Sequence, residues 1–133
     1  MKIDGGCHCG AITYEAEVDP ASVLVCHCTD CQKISGSPYR VGVQAPAATF
    51  RLLAGTPKTY IKTTADSGRR RLHAFCGNCG SAIYTAAEHD TPTYNLRVGT
   101  IRQRAELKPL RQKWCASAMP WAMVDGLPKA ERE

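Results

Sequence analysis

Residues 5–18 read GGCHCGAITYEAEV, and two physical patterns meet in them. From Ala11 onward the residues alternate, with Ile12, Tyr14, Ala16 and Val18 on one face and Thr13, Glu15 and Glu17 on the other. That period of two is the signature of a half-buried strand. Immediately upstream, Cys7 and Cys9 flank a single histidine, and such a pair on a tight turn lets two sulfurs face one ion. A strand entered through a thiolate pair suggests a sheet whose end is stapled by metal.

The same alternation marks further strands at 23–26 (VLVC), 39–43 (YRVGV), 49–53 (TFRLL), 58–62 (KTYIK), 71–75 (RLHAF), 82–85 (AIYT) and 94–98 (YNLRV). Between them lie turn signals: Asp19-Pro20, Gly36-Ser37-Pro38, Gly55-Thr56-Pro57 and Asp66-Ser67-Gly68. Many short strands at this spacing predict an all-β, antiparallel fold with few short helical turns. One such turn is expected from Thr29 and another around Ala118 to Val124, where Pro120 starts or interrupts it. The tail LPKAERE at 127–133 is polar and is expected to fray.

A length of 133 residues fits one domain, residues 1–133, with room for a hydrophobic core. No run of 18 apolar residues is present, and MKIDGGCHCG lacks the basic-then-apolar layout of a secretory signal. A soluble, cytoplasmic protein is expected, without a membrane partner. The net charge of +5, from 17 Lys and Arg against 12 Asp and Glu, permits an acidic partner without demanding nucleic acid. Arg69, Arg70 and Arg71 form the densest basic run. No aromatic residues interleave with them, so a solvated loop and strand face is the expected reading.

Eight cysteines in a reducing compartment point to metal rather than to a disulfide framework, which would require export. They occur as Cys7-His8-Cys9, Cys26-His27-Cys28 running on to Cys31, Cys76-Gly77-Asn78-Cys79, and an isolated Cys115. Structural zinc takes four protein ligands, whereas catalytic zinc takes three and leaves a position for water or substrate. The seven clustered cysteines divide naturally into four and three. Cys7, Cys9, Cys76 and Cys79 then close a structural site, with Gly77 and Gly80 freeing the backbone of the second knuckle, and Cys26, Cys28 and Cys31 hold one face of a second ion. Other partitions remain open: Cys28 and Cys31 with Cys76 and Cys79 in a ribbon, or Cys115 or His27 as fourth ligand to the triad.

His8 and His27 are expected to point away from any ion held by their neighbours, and His73 and His89 to be a strand and a loop residue. Trp114 and Trp121 are expected to pack in the core, Cys115 to be a small buried hydrophobe, and Asp30 to start a helix.

The motifs GGCHCGAITYE, VCHCTDCQKISGSPYR, GTPKTY and FCGNCGSAIY, with a VGTI segment and a late Pro-Trp pair, resemble the glutathione-dependent formaldehyde-activating enzyme family, which includes centromere protein V. The resemblance runs from about Gly5 to Pro128. It implies stacked sheets of the β-tent kind, two Zn2+ per chain with the second site partly occupied, and the four-plus-three partition, Cys26, Cys28 and Cys31 being catalytic. It further implies a carbon-sulfur lyase that joins formaldehyde to the thiol of glutathione. Arg40, Lys33 and the arginine run are available for the substrate's carboxylates. Two other readings are a non-catalytic zinc-stapled module binding protein or nucleic acid, and a methionine sulfoxide reductase using Cys115.

Overall fold

The computed structural model describes residues 1–133. In chain order the elements are β1 (Lys2–Gly6), β2 (Thr13–Glu17), β3 (Leu24–Cys26), α1 (Thr29–Ser35), β4 (Arg40–Pro46), β5 (Arg51–Ala54), β6 (Lys58–Lys62), β7 (Arg71–Phe75), β8 (Ala82–Ala87), β9 (Thr93–Arg97) and β10 (Arg111–Lys113). Short 3-10 turns fill several connections. The mostly β architecture expected from the alternation is what the chain adopts.

The strands form two sheets, one ordered β1-β2-β5 and the other β10-β3-β4-β9-β8-β7-β6. Alternation places Ile12, Tyr14, Ala16 and Val18 inward, each at most 4% exposed. They join Val43, Ala45, Ile83, Leu96 and Ile101 in one core cluster drawn from both sheets. Burying an Ile or Val side chain of this kind contributes about 2 kcal/mol. The Tyr14 hydroxyl remains satisfied inside, 2.7 Å from Thr100 Oγ1. No helix is long and apolar enough to cross a membrane.

Two strands carry no alternating signal. β1 contains adjacent glycines and exists because its backbone pairs with β2 from Lys2↔Glu17 to Gly6↔Thr13. Gly5 must be small there: a Cβ would collide with the Thr100 carbonyl and the Tyr14 ring. β10 is the polar triplet Arg111-Gln112-Lys113, and it runs parallel to β3, the one parallel pairing among otherwise antiparallel strands. Its formation depends on the tail, which does not fray as its polarity suggests. Trp114, Cys115 and Ala116 donate backbone hydrogen bonds to the carbonyls of Arg132, Ala130 and Glu131, and Ala130 donates to Gln112. Backbone pairing, which is indifferent to side-chain polarity, holds those last residues.

Other expectations are corrected by position. Trp121 is 74% exposed rather than packed in the core. Trp114 is half-buried with left-handed backbone (φ 58°), its ring 4.8 Å beneath the Arg132 guanidinium carbon. Cys115 is half-buried at the head of the 3-10 turn Cys115–Ser117 and is not enclosed in the core. The turn expected around Ala118 to Val124 is the 3-10 segment Pro120–Ala122.

Candidate functional site

Seven of the eight cysteine sulfurs converge in two groups: Cys7, Cys9, Cys76 and Cys79 in one, Cys26, Cys28 and Cys31 in the other, the sulfurs of each lying within 4.8 Å of one another. The first group is built from two similar turns. After Cys7 the chain folds so that the Cys7 N–H donates to the Ile12 carbonyl, with Gly10 at φ 81°; after Cys76, the Cys76 N–H donates to Ser81 and Gly80 sits at φ 78°. Only glycine enters that left-handed region without strain, so each turn closes under its sulfurs. Gly77 does not share this role. A Cβ there would press on the Lys58 side chain, so its requirement is space.

Sulfurs bound to one tetrahedral zinc at about 2.3 Å lie about 3.8 Å apart. Cys7 and Cys9 are separated by 3.6 Å, and Cys9 and Cys76 by 3.7 Å, so these four thiols fit zinc. The Ile12 N–H donates to Cys7 Sγ at 3.2 Å, and the Ser81 hydroxyl lies 3.2 Å from Cys79 Sγ. Chiefly through Ser81, the Cys79 thiol is lowered to a pKa of about 5, which favours the thiolate that a metal requires.

The second group spans the end of β3 and the first turn of α1. Cys28 Sγ takes the N-cap position of α1, accepting the Cys31 N–H at 3.2 Å. Cys26 and Cys31 Sγ are 3.5 Å apart, whereas Cys28 and Cys31 Sγ approach to 2.7 Å and must open by about 1 Å to share an ion. The donor set is three soft thiols in one small volume, which suits zinc with one position left over. Hydrogen bonds from Cys26 and Cys28 and the nearby Arg40 charge hold the Cys31 thiol far below its ordinary range, while Cys26 and Cys31 push Cys28 up.

Arg40 is the basic residue committed to the sulfurs. Its Nε donates to Cys31 Sγ at 2.9 Å and its NH1 to Asn95 Oδ1 at 3.0 Å. Arg97 also donates to that oxygen, at 3.3 Å. Gly42 on β4 makes this possible, since a Cβ there would occupy the space of the Asn95 amide.

His27, fully buried, is not among the grouped ligands. Its Nε2 lies 3.0 Å from Gln112 Oε1, which also accepts the Val124 N–H, so Nε2 carries the proton. Gln32 and Ser117 both donate to the His27 carbonyl, at 2.8 and 3.1 Å. The triad is therefore held by residues 112–117, more than 80 positions away in sequence. Nothing in the local pattern around Gln112 signals this. His8 and His89 are exposed. Asp30 sits in the first turn of α1 and does more than begin it: its carboxylate pairs with Lys62 at 2.9 Å and accepts from Thr64 at 2.8 Å.

Cys26, Cys28 and Cys31 line a cleft of about 710 Å³ together with Arg40, His73 and Trp114. His73 is lowered to a pKa of about 4, first by burial and then by the charges of Arg97 and Arg40, so it is neutral at pH 7. The basic run divides. Arg70 pairs with Glu88 at 2.6 Å on the surface, but Arg69 and Arg71 line the cleft, correcting the expectation of a wholly solvated face. Lys33 is exposed on α1 and is not part of the lining.

Among solved structures, the chain resembles one from Rhodobacter sphaeroides at a TM-score of 0.60, with 19% identity over 96% of this chain and 98% of that one, a likeness of fold. Curated relatives include an uncharacterized lyase of Schizosaccharomyces pombe, 29% identical over 64% of this chain, and a Halomonas elongata protein named for glutathione-dependent formaldehyde activation, 27% identical over 63%. The matches span 58% and 55% of those two proteins' own lengths. The family description "glutathione-dependent formaldehyde-activating enzyme" matches residues 2–117, nearly the whole chain and both cysteine groups. The chain belongs to the glutathione-dependent formaldehyde-activating enzyme family.

Proposed function

We propose that this protein is a zinc-dependent carbon-sulfur lyase that interconverts formaldehyde and a small thiol, glutathione being the first candidate, with their S-hydroxymethyl adduct. The observation that carries this reading is the set of three thiols, Cys26, Cys28 and Cys31, facing a cleft of about 710 Å³ with no fourth Cys, His, Asp or Glu joining them. That volume lies within the range of small-molecule sites. In this reading Cys7, Cys9, Cys76 and Cys79 hold a purely structural zinc, and residues 1–133 act as one cytoplasmic domain.

In the synthetic direction the thiol gives up its S–H proton, its sulfur bonds to the aldehyde carbon as the carbonyl π bond breaks, and the oxygen takes up one proton in return. Nothing is oxidised or reduced. Cys26, Cys28 and Cys31 would hold zinc, which would supply Lewis-acid chemistry there when bound. Arg40 offsets negative charge at Cys31 while remaining fixed through Asn95. Neutral His73 lines the wall as a group that can hold or pass a proton, and Trp114 lines the same cleft.

Exchange NMR on formaldehyde and glutathione tests the proposal. Zinc-loaded protein is expected to accelerate interconversion of the adduct, and Cys28→Ser to abolish the acceleration while the fold persists. An uncatalysed rate with protein carrying two zinc ions per chain refutes it.

A further inference from the structure

The basic residues lining the cleft are Arg40, Lys62, Arg69, Arg71, Lys113 and Arg132. Four of them have partners. Lys62 pairs with Asp30 at 2.9 Å, Lys113 with Glu133 at 2.9 Å, and Arg132 with Asp66; Arg40 donates to Cys31 Sγ. No carboxylate lies within ion-pair distance of Arg69 or Arg71. The acids of the lining, Asp30, Asp66 and Glu133, are all engaged by other cations.

Arg71 is the more informative of the two. It stands two residues before His73 on β7, so strand alternation puts both side chains on one face, and both line the cleft. It is half-buried, unlike the exposed Arg69. Burial and the like charges of Arg40 and Arg69, opposed by a smaller attraction to Glu133, make its guanidinium harder to keep charged than an ordinary arginine. A planar fork of donors, partly stripped of water and without an ion-pair partner, is the complement of a carboxylate, which it binds through two parallel hydrogen bonds. The cleft is also far larger than a one-carbon aldehyde requires, so the remaining space belongs to the second reactant.

We infer that Arg71, assisted by Arg69, recognises a carboxylate of the thiol substrate, so that this cleft selects an anionic thiol over a neutral one. The inference deepens the lyase reading by giving the arginines a role in choosing the thiol, and it rests on that reading for the identity of the site. It also divides the basic residues named from sequence: Arg40 serves the sulfurs, Arg71 and Arg69 serve the ligand, and Lys33 serves neither.

Calorimetric titration of the zinc-loaded protein with S-methylglutathione and with its diethyl ester tests this without turnover, because a thioether has no S–H to add to an aldehyde. A charge-assisted hydrogen bond of this kind sets the expected preference for the free acid at roughly tenfold or more. Arg71→Gln is expected to lose that preference by weakening the acid and sparing the ester. Arg71→Lys is expected to recover part of it, and Arg69→Ala, in an exposed turn, to weaken the acid about threefold. Equal affinity of acid and ester, an undiminished preference in both Arg71→Gln and Arg69→Ala, or no binding of S-methylglutathione at millimolar concentration overturns the inference. A kept preference alongside failed exchange NMR sinks the lyase reading alone.

Discussion

Replacing Gln112 by leucine separates the tertiary support of the thiolate triad from the triad itself. The side chain is 1% exposed. Its Oε1 accepts from His27 Nε2 at 3.0 Å and from the Val124 N–H at 3.2 Å, and its Nε2 donates to the carbonyls of Val124 at 2.7 Å and Leu127 at 3.3 Å. Leucine fills similar space and satisfies none of these groups. Stranding the buried His27 N–H costs about 2 kcal/mol, and the half-buried backbone groups of Val124 and Leu127, which water can reach in part, add about 1 kcal/mol together. For a domain of this length about 3 kcal/mol lowers Tm by roughly 10 °C. Because His27 lies between Cys26 and Cys28, loosening it also disturbs the three-thiol group first, and zinc affinity there is expected to fall roughly 10- to 100-fold. Scanning calorimetry of the metal-loaded protein reads the first effect, and timed zinc release to a chelator reads the second. A variant melting within 2 °C of wild type, or one releasing metal first from Cys7, Cys9, Cys76 and Cys79, would falsify the argument.

The two sulfur groups should respond oppositely to ligand loss. Cys76→Ser removes a ligand from the proposed structural site, where zinc would contribute a folding free energy of about 10 kcal/mol, comparable with the whole stability of a small domain, so circular dichroism should show unfolding at 37 °C. Cys28→Ser should keep the fold and lose one zinc per chain, since serine still caps α1; two zincs retained in that variant contradict the assignment. Gly42→Ala should drive the Asn95 amide away from Arg40, leaving melting within a few degrees but reducing turnover at least tenfold. Unchanged kinetics there would remove Asn95 from the positioning of Arg40. His73, whose pKa falls from 6.5 to about 4 on folding, contributes stability that is complete above pH 6.5 and lost as pH drops towards 4. Discounted for partial solvent access, that is on the order of 2 kcal/mol, and it should appear as a pH-dependent difference between wild-type and His73→Gln stabilities, since the variant lacks the titrating group. Parallel curves for the two proteins between pH 4 and 6.5 would contradict it.

Sequence by itself determined the features governed by short-range chemistry. The period-two pattern of Ile12, Tyr14, Ala16 and Val18 placed β2 and its buried face, because a strand's faces alternate whatever surrounds it. Cysteine spacing likewise singled out the seven grouped sulfurs, since turns of two or three residues bring their own sulfurs together. Spacing favoured joining Cys7 and Cys9 to Cys76 and Cys79 but admitted other partitions, and the tertiary structure brings those four sulfurs together across nearly 70 positions. It also decided the parallel placement of β10, the anchoring of the tail, the clamp of Gln112 on His27, and the contrast between Arg40, bonded to Cys31, and Arg71, which lines the cleft without an ion-pair partner. Each of these is a hydrogen bond, an ion pair or the lack of one, between residues distant in the chain. A polar residue looks the same in sequence whether it faces water, a buried histidine or an empty cleft, so its partner emerges only when the sheets pack.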